Sequence, residues 1–295
     1  MAKHKKAKRA NASKKRTATK KFGRNALAVA TNSKKATSQR VAALALAPLA
    51  VSGSETDLQR VLKLLANPDE PIEVRFAALD SLQTASFDAA TFSSIHSDYI
   101  ATLRKLAEDP NYELRQRVLG ILMRAKDGFA QKKLLEGLKN PAKALLLPEK
   151  ALQLLSYDVH AEAYSAARAV LKKRPNDDAK REALRLLAAD PKAVPIFEKV
   201  LRDKKELREN RQIAASALHA LDPEKLQSQA RKILLDKSDY ADIKATSLTA
   251  LEQFGDDAAL SKDKALMQSV NRFKSGKTPA KYKQTARRFL SKYGQ

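Results

Sequence analysis

The chain of 295 residues contains no cysteine and no tryptophan. Without thiols there is no disulfide, no thiolate nucleophile and no cysteine-bearing zinc site, and the redox compartment leaves no mark on the sequence. No apolar run approaches the ~18–20 residues that a membrane-spanning helix needs. Sustained period-two alternation with β-branched residues is also missing, so no strand is expected. A further absence concerns charge. The first acidic residue is Glu55 and the last is Asp263. Residues 1–54 carry 14 Lys and Arg, residues 264–295 carry nine, and the stretch between holds 34 basic against all 33 acidic groups. The formal charge of +24 is therefore that of a nearly neutral body with two basic ends, and a polyanion is drawn to the ends first.

One short apolar stretch, VAALALAPLAV (41–51), has the length and the small residues of a secretory signal core. Forty residues precede it, far more than a usual basic n-region, and Pro48 interrupts it. It reads instead as a short helix that caps the fold and starts near Thr37 or Ser38. The acid-free leader is rich in Lys rather than Arg, which also sets it apart from an organelle presequence.

The neutral middle repeats. NPDEPIEVRFAALDSL (67–82), EDPNYELRQRVLGIL (108–122), NPAKALLLPEKALQLL (140–155), RPNDDAKREALRLL (174–187) and DKSDYADIKATSLTAL (236–251) align, and DKKELRENRQIAASALHAL (203–221) fits with a few extra residues. Each opens on a polar turn rich in Asp, Asn or Pro and continues as an apolar pattern at helical spacing. Anchored on Leu79, Leu119, Leu152, Leu184, Leu218 and Leu248, the intervals are 40, 33, 32, 34 and 30 residues. A second leucine follows each anchor by three residues, which puts both on one face of a helix. Another helical stretch precedes each turn, as in LQRVLKLL (58–65) and ARKILL (230–235). The unit is thus helix–turn–helix, repeated about six times. Neither helix of a pair can hide its apolar face alone, so neighbouring pairs must stack. The long first interval marks an insertion at 84–96. Asp109-Pro110, Asn140-Pro141, Asp190-Pro191 and Asp222-Pro223 each place an N-capping side chain before a proline, and Ser54-x-x-Asp57 has the form of a capping box.

The second helices resemble those of HEAT and related α-solenoid repeats over roughly residues 54–254. The turn Asp and second-helix Arg usual in that family are matched by Asp69 with Arg75 and by Asp109 with Arg115, at one separation. Later repeats depart from the pattern: Lys180 and Lys244 stand in the Arg position, and Pro148 and Ala214 replace it elsewhere. The resemblance implies an all-α, right-handed solenoid, and a structural ladder for Asp69, Arg75, Asp109 and Arg115 rather than catalysis. It says little about function, because such repeats serve as scaffolds in unrelated processes.

Motifs for chemistry are sparse. The four histidines, His4, His96, His160 and His219, form no metal motif with one another or with a carboxylate. Iron-dependent hydroxylases among HEAT-like proteins carry His-Glu pairs, and no His-Glu dipeptide occurs here. HEAT-like DNA glycosylases rely on aromatic residues, Trp included, with a catalytic Asp; bilin lyases form a third enzymatic branch, for which no motif is seen. Ser275-Gly276-Lys277-Thr278 imitates the end of a phosphate loop, but Asn271 stands where that loop needs glycine, and no strand precedes it. The acidic pairs Asp69-Glu70, Asp177-Asp178 and Asp256-Asp257 fall at turns, where carboxylates cap helices and complement their dipoles. The expectation is a chain that is not an enzyme and uses no cofactor and no metal.

The ends carry the remaining signal. The N-terminal segment has few large apolar groups and cannot offset its ordering entropy by burial, so it is expected to be disordered. Its blocks Lys5, Lys6, Lys8 and Arg9, then Lys14, Lys15 and Arg16, then Lys20, Lys21 and Arg24, resemble the tails of histone-like and ribosomal proteins. Near the other end, Tyr282, Ala286, Phe289 and Tyr293 share a helix face, while Lys281, Lys283, Arg287, Arg288 and Lys292 spread over the rest. All these cations are candidate phosphate contacts. The expected organisation is a basic tail (1–36), a capping helix (37–53), a HEAT-like solenoid (54–260) and a basic C-terminal helix (261–295). The expected function is a non-enzymatic adaptor that holds an unidentified protein on the solenoid face and DNA or RNA phosphates at both ends, inside the cell, with export left open. The alternatives are a pure protein-interaction scaffold whose tails target or solubilise it, and a HEAT-like enzyme such as a DNA glycosylase or lyase.

Overall fold

The computed structural model describes residues 25–46, 54–158, 161–173 and 176–294. Among these there are eighteen α-helices, two 3-10 turns and no strand. The chain divides into two compact units, residues 1–130 and 131–295. The first holds α1 (25–30), α2 (Thr37–Leu46), α3 (Glu55–Ala66), α4 (Ile72–Ala85), α5 (Ala89–Phe92), α6 (His96–Leu106) and α7 (Tyr112–Arg124). Helix α8 (Gly128–Lys139) begins at the boundary. The second unit continues with α9 (Pro148–Leu155), α10 (Ala161–Lys172), α11 (Asp177–Leu187), α12 (Val194–Arg202), α13 (Arg208–Leu221), α14 (Pro223–Leu235), α15 (Ala241–Phe254), α16 (Asp257–Lys262), α17 (Lys264–Ser275) and α18 (Ala280–Tyr293).

Helices pair with their sequence neighbours and then stack like on like. In the first unit α3 packs on α4 and α6 on α7, while α3 also meets α6 and α2 meets α4. In the second unit the first helices α12, α14 and α17 follow one another, as do the second helices α11, α13, α15 and α18. The hairpin α17–α18 is thus a further pair in the same stack. The expected insertion at 84–96 contains α5, capped by Asp88, and Phe92 turns edge-on to Tyr99 with ring centroids 5.1 Å apart.

The leucine stripes account for the core. All six anchors are fully buried, and so are Leu82, Leu122, Leu155 and Leu187. Leu221 is half-exposed. In α13 the buried i, i+3 pair is Ala215 and Leu218 instead of Leu218 and Leu221, so the expected register there is late by one turn. Three of the four Asx-Pro pairs cap as expected: Asn140 and Asp190 at 3-10 turns, Asp222 at α14. At α7 the cap is Asn111, which accepts from the Leu114 amide at 2.9 Å. Asp109 takes the amide of Asn111 and is drawn to a different partner.

That partner is Arg75, from the preceding repeat. Arg75 is the fourth residue of α4, and its Nε donates to the Leu65 carbonyl at 3.1 Å while Nη2 meets Asp109 Oδ2 at 2.6 Å. The same device recurs at the fourth residue of other second helices. Arg40 of α2 donates Nε to Ala30 O and reaches Glu70 at 2.7 Å. Arg211 of α13 donates to Leu201 O at 2.8 Å and grips both oxygens of Asp239 at 2.7 Å. Lys180 of α11 reaches Glu206. Each arginine ties its own first helix, and Lys180 its own second helix, to the turn inside the next pair. The pairing therefore runs from Arg75 to Asp109, and the Asp69 amide, not an arginine, occupies the Asn67 side chain. Arg115 donates Nη1 to the Asp109 carbonyl at 2.5 Å. Position 211, not Ala214, is the rung of its repeat, in agreement with the shifted stripe.

A second rail joins first helices. Arg104 bonds Asp127, which caps α8; Arg168 bonds Asp190, which caps a 3-10 turn; Arg231 Nε bonds Asp263 at 2.6 Å, which caps α17. Buried rungs are fragile to single changes, because removing one partner strands the other. Arg211→Ala should cost about 3–5 kcal/mol in urea denaturation, since both Arg211 and Asp239 are buried. Arg185→Ala, whose pair with Glu209 is half-exposed on both sides, should cost under about 1 kcal/mol. Equal losses would show that burial does not set the strength of these pairs.

Candidate anion-binding surface

The hairpin α17–α18 is held by apolar packing while its charge stays outside. Leu266 and Val270 of α17 and Ala286, Phe289 and Tyr293 of α18 join Leu234, Leu248, Leu251 and Leu260 in one core cluster. Phe289 and Tyr293 lie 4.8 Å apart by ring centroid, and the Tyr293 hydroxyl donates to Asp257 Oδ1 at 2.9 Å. Tyr282, on the same expected face, is only half-buried and lies under the Lys281 ammonium at 4.7 Å. At the start of α17 the Arg231 hydrogen bond holds the Asp263 carboxyl below its usual range.

Of the five cations expected on the C-terminal helix, two are engaged. Arg288 meets Glu252 at 3.0 Å, and Lys292 meets Asp257 at 3.4 Å and donates to the Glu252 carbonyl. Lys281, Lys283 and Arg287 have no carboxylate within ion-pair distance among the described residues, and neither do Lys264, Arg272, Lys274 and Lys277. Seven of the nine cations of residues 264–295 are therefore uncompensated there. The body differs, since its ladder carboxylates are spent on Arg and Lys. The N-terminal candidates Lys5, Lys6, Lys8, Arg9, Lys14, Lys15, Arg16, Lys20, Lys21 and Arg24 lie outside the described residues.

The structure adds a group that sequence reading treated only as a repeat position. Lys244, the fourth residue of α15, is 8% exposed and lines a cleft of about 300 Å³ with Lys237, Arg272 and Thr278. Its one hydrogen bond among the described residues is a long one, 3.4 Å, to the Lys237 carbonyl. Burial pushes its ammonium below the ordinary lysine value; Asp239 and Asp236 pull it back, and Lys204 and Arg272 push it further down. Asp239 also borders the cleft, but both its oxygens are taken by Arg211. The signal was present in the sequence: the turn before α18 reads Gly-Lys-Thr-Pro and offers no acid. Its meaning depended on knowing which position of the turn faces the lysine. The phosphate-loop imitation at 275–278 follows a helix, α17, so it lacks the strand–loop–helix setting of that motif.

Among the described residues no group of His, Asp and Glu side chains is placed to hold a metal ion. No described helix is long and apolar enough to cross a membrane.

No protein-family model matches the chain, and no curated protein matches it. Among solved structures, it is similar to human deoxyhypusine hydroxylase in complex with glycerol. The TM-score is 0.35 at 15% identity, covering 84% of this chain and 99% of the other. The expectations of a non-enzymatic adaptor, and of a chain that is not an enzyme, are corrected by this finding. They rested on seeing no catalytic set in an all-helical repeat sequence, and the chain matched here is a hydroxylase; the helical architecture is no ground for denying activity. A likeness of this size brings neither that protein's reaction nor its residues to this chain.

Lys244 is a buried charge without a matching acid, and such a charge costs stability. The folded protein holds its proton less tightly than the unfolded chain does. That cost is complete below the depressed folded value and is relieved as pH climbs from there toward the unfolded one. In buffer free of multivalent anions, Lys244→Met should stabilise the protein at pH 7 by roughly 1 kcal/mol, about 2–4 °C in Tm, with the gap closing at alkaline pH. A variant less stable than the parent at pH 7 would mean that the lysine has a compensating partner.

Proposed function

We propose that this chain is a HEAT-like, right-handed α-solenoid protein that binds nucleic-acid phosphates, DNA or RNA, with the basic hairpin α17–α18 as a folded contact surface and the basic residues of 1–24 as a second arm. The observation that carries the reading is the set of seven hairpin cations without carboxylate partners among the described residues, on an element whose apolar face is anchored in the core. An ordered, uncompensated array of Lys and Arg attracts polyphosphate by counterion release and reads no bases. Support for the solenoid comes from like-on-like helix stacking and from the two rails of ion pairs. The reading concerns binding, and it is compatible with turnover of a bound polymer as well as with simple retention.

The test is affinity for duplex DNA and for single-stranded RNA as a function of salt. Truncation of α18 is unsuitable, because it would remove Phe289 and Tyr293 from the core. Lys281→Gln/Lys283→Gln/Arg287→Gln alters only solvent-facing or half-buried side chains. On duplex DNA the triple variant should lower the log–log salt slope by about 2–3, at about 0.9 per lost phosphate contact. A slope and affinity equal to those of the parent would remove the hairpin from the binding surface.

A further inference from the structure

At α15 the ladder cation faces a turn position that holds no acid. In three rungs the acid lies two residues before the next second helix: Glu70 before α4, Glu206 before α13 and Asp239 before α15. The corresponding residue before α18 is Thr278. The cation that would face it is Lys244, at the same fourth position of α15 as Arg40, Arg75, Lys180 and Arg211 in their helices. The backbone acceptor that the arginine rungs use, ten residues before the cation, is also diverted: the Leu234 carbonyl takes the Ser269 hydroxyl. Lys244 is thus left with its long bond to Lys237 O, and the place of the missing carboxylate is the cleft.

That cleft is built for an anion. Lys237 and Arg272 flank it and have no carboxylate partner among the described residues, and the Thr278 hydroxyl makes no hydrogen bond to any described residue. The one acid at its edge, Asp239, is already neutralised by a bidentate arginine. Three cations and a free hydroxyl exceed what one carboxylate can satisfy, and they match the several oxygens and higher charge of a phosphoryl group. We propose that the cleft between α15 and the α17–α18 turn is a phosphate-binding site in which the ligand takes the place of the missing ladder acid, with Lys244 at its floor, Arg272 and Lys237 at its rim and Thr278 donating to a phosphoryl oxygen. The site shares Arg272 with the hairpin's set of cations but uses none of Lys281, Lys283 and Arg287. It would receive either a free phosphate or a phosphodiester of the polymer proposed above, and only the second source rests on that reading.

The experiment uses the full chain and inorganic phosphate. Thermal unfolding is followed in phosphate and in sodium chloride of equal ionic strength. A ligand that binds the folded state alone raises Tm with its concentration. The parent should be stabilised by phosphate over chloride. Lys244→Met should weaken phosphate binding by at least about tenfold, even though it is the more stable protein without phosphate, and the exposed Arg272→Gln should weaken it to a lesser degree. The variant Lys281→Gln/Lys283→Gln/Arg287→Gln should keep the phosphate response in full, whatever it does to polymer binding. The two readings can therefore fail separately. A short oligonucleotide that displaces phosphate from the parent assigns the site to polymer phosphodiesters; phosphate binding that resists the oligonucleotide assigns it to free phosphate or a small phosphate ester. Equal phosphate stabilisation of the parent and of both single variants, or none in any of them, would overturn the proposal.

Discussion

A cation at the fourth position of a second helix, reaching into the turn of the following helix pair, is the contact on which the stacking depends. Helix pairs packed by leucines alone could slide or rotate, because apolar contact has no direction. A guanidinium has fixed donor directions. When Arg75 or Arg211 binds a carbonyl of its own first helix and a carboxylate of the next turn, it sets the distance and the rotation between successive pairs at once. Where lysine takes the position, as at Lys180, a single point contact remains. The choice of arginine at the buried rungs follows from this, since one guanidinium can meet a carbonyl and a carboxylate at once.

This constraint also decides where charge is left over. The body is neutral in composition, and many of its carboxylates are used as rungs, caps or both. Asp127, Asp190 and Asp263 each cap a helix or turn and bind an arginine of an earlier helix. The last hairpin takes part in the stack through its apolar face but brings no acid of its own. Among the described residues its cations consequently have no carboxylate partner, apart from Arg288 and Lys292, which borrow Glu252 and Asp257 from neighbouring elements. The uncompensated cations of the hairpin and the open rung are two results of the same shortage.

Much of the architecture was legible because leucine spacing and capping residues are local. An i, i+3 pair defines a helix face whatever lies opposite, and Asp, Asn or Ser at a helix start acts within a few residues. The failures are equally instructive. In α13 the leucine pair Leu218/Leu221 outweighed Ala215/Leu218 as a pattern, because alanine carries little hydrophobic signal even when it is the residue at the contact. At Asp109-Pro110 the capping pattern was sound, but a buried arginine 34 residues away claimed the carboxylate, and Asn111 took the cap. The absence of a catalytic motif was also given more weight than it could bear in a class of fold that hosts many functions.

By itself, the sequence determined the helical class, the helix-pair repeat, the neutrality of the body and the concentration of positive charge at its ends, since each is a property of composition or of neighbours a few residues apart. Only the tertiary structure decided which acid meets which base. Asp69 and Arg75 are close in sequence, yet Arg75 spends its charge on Asp109, because a helix–turn–helix unit brings residues about one repeat apart closer than the ends of its own turn. For the same reason Lys244 was unremarkable as a residue in a repeat and became informative only when folding placed it opposite Thr278, where the other rungs have an acid.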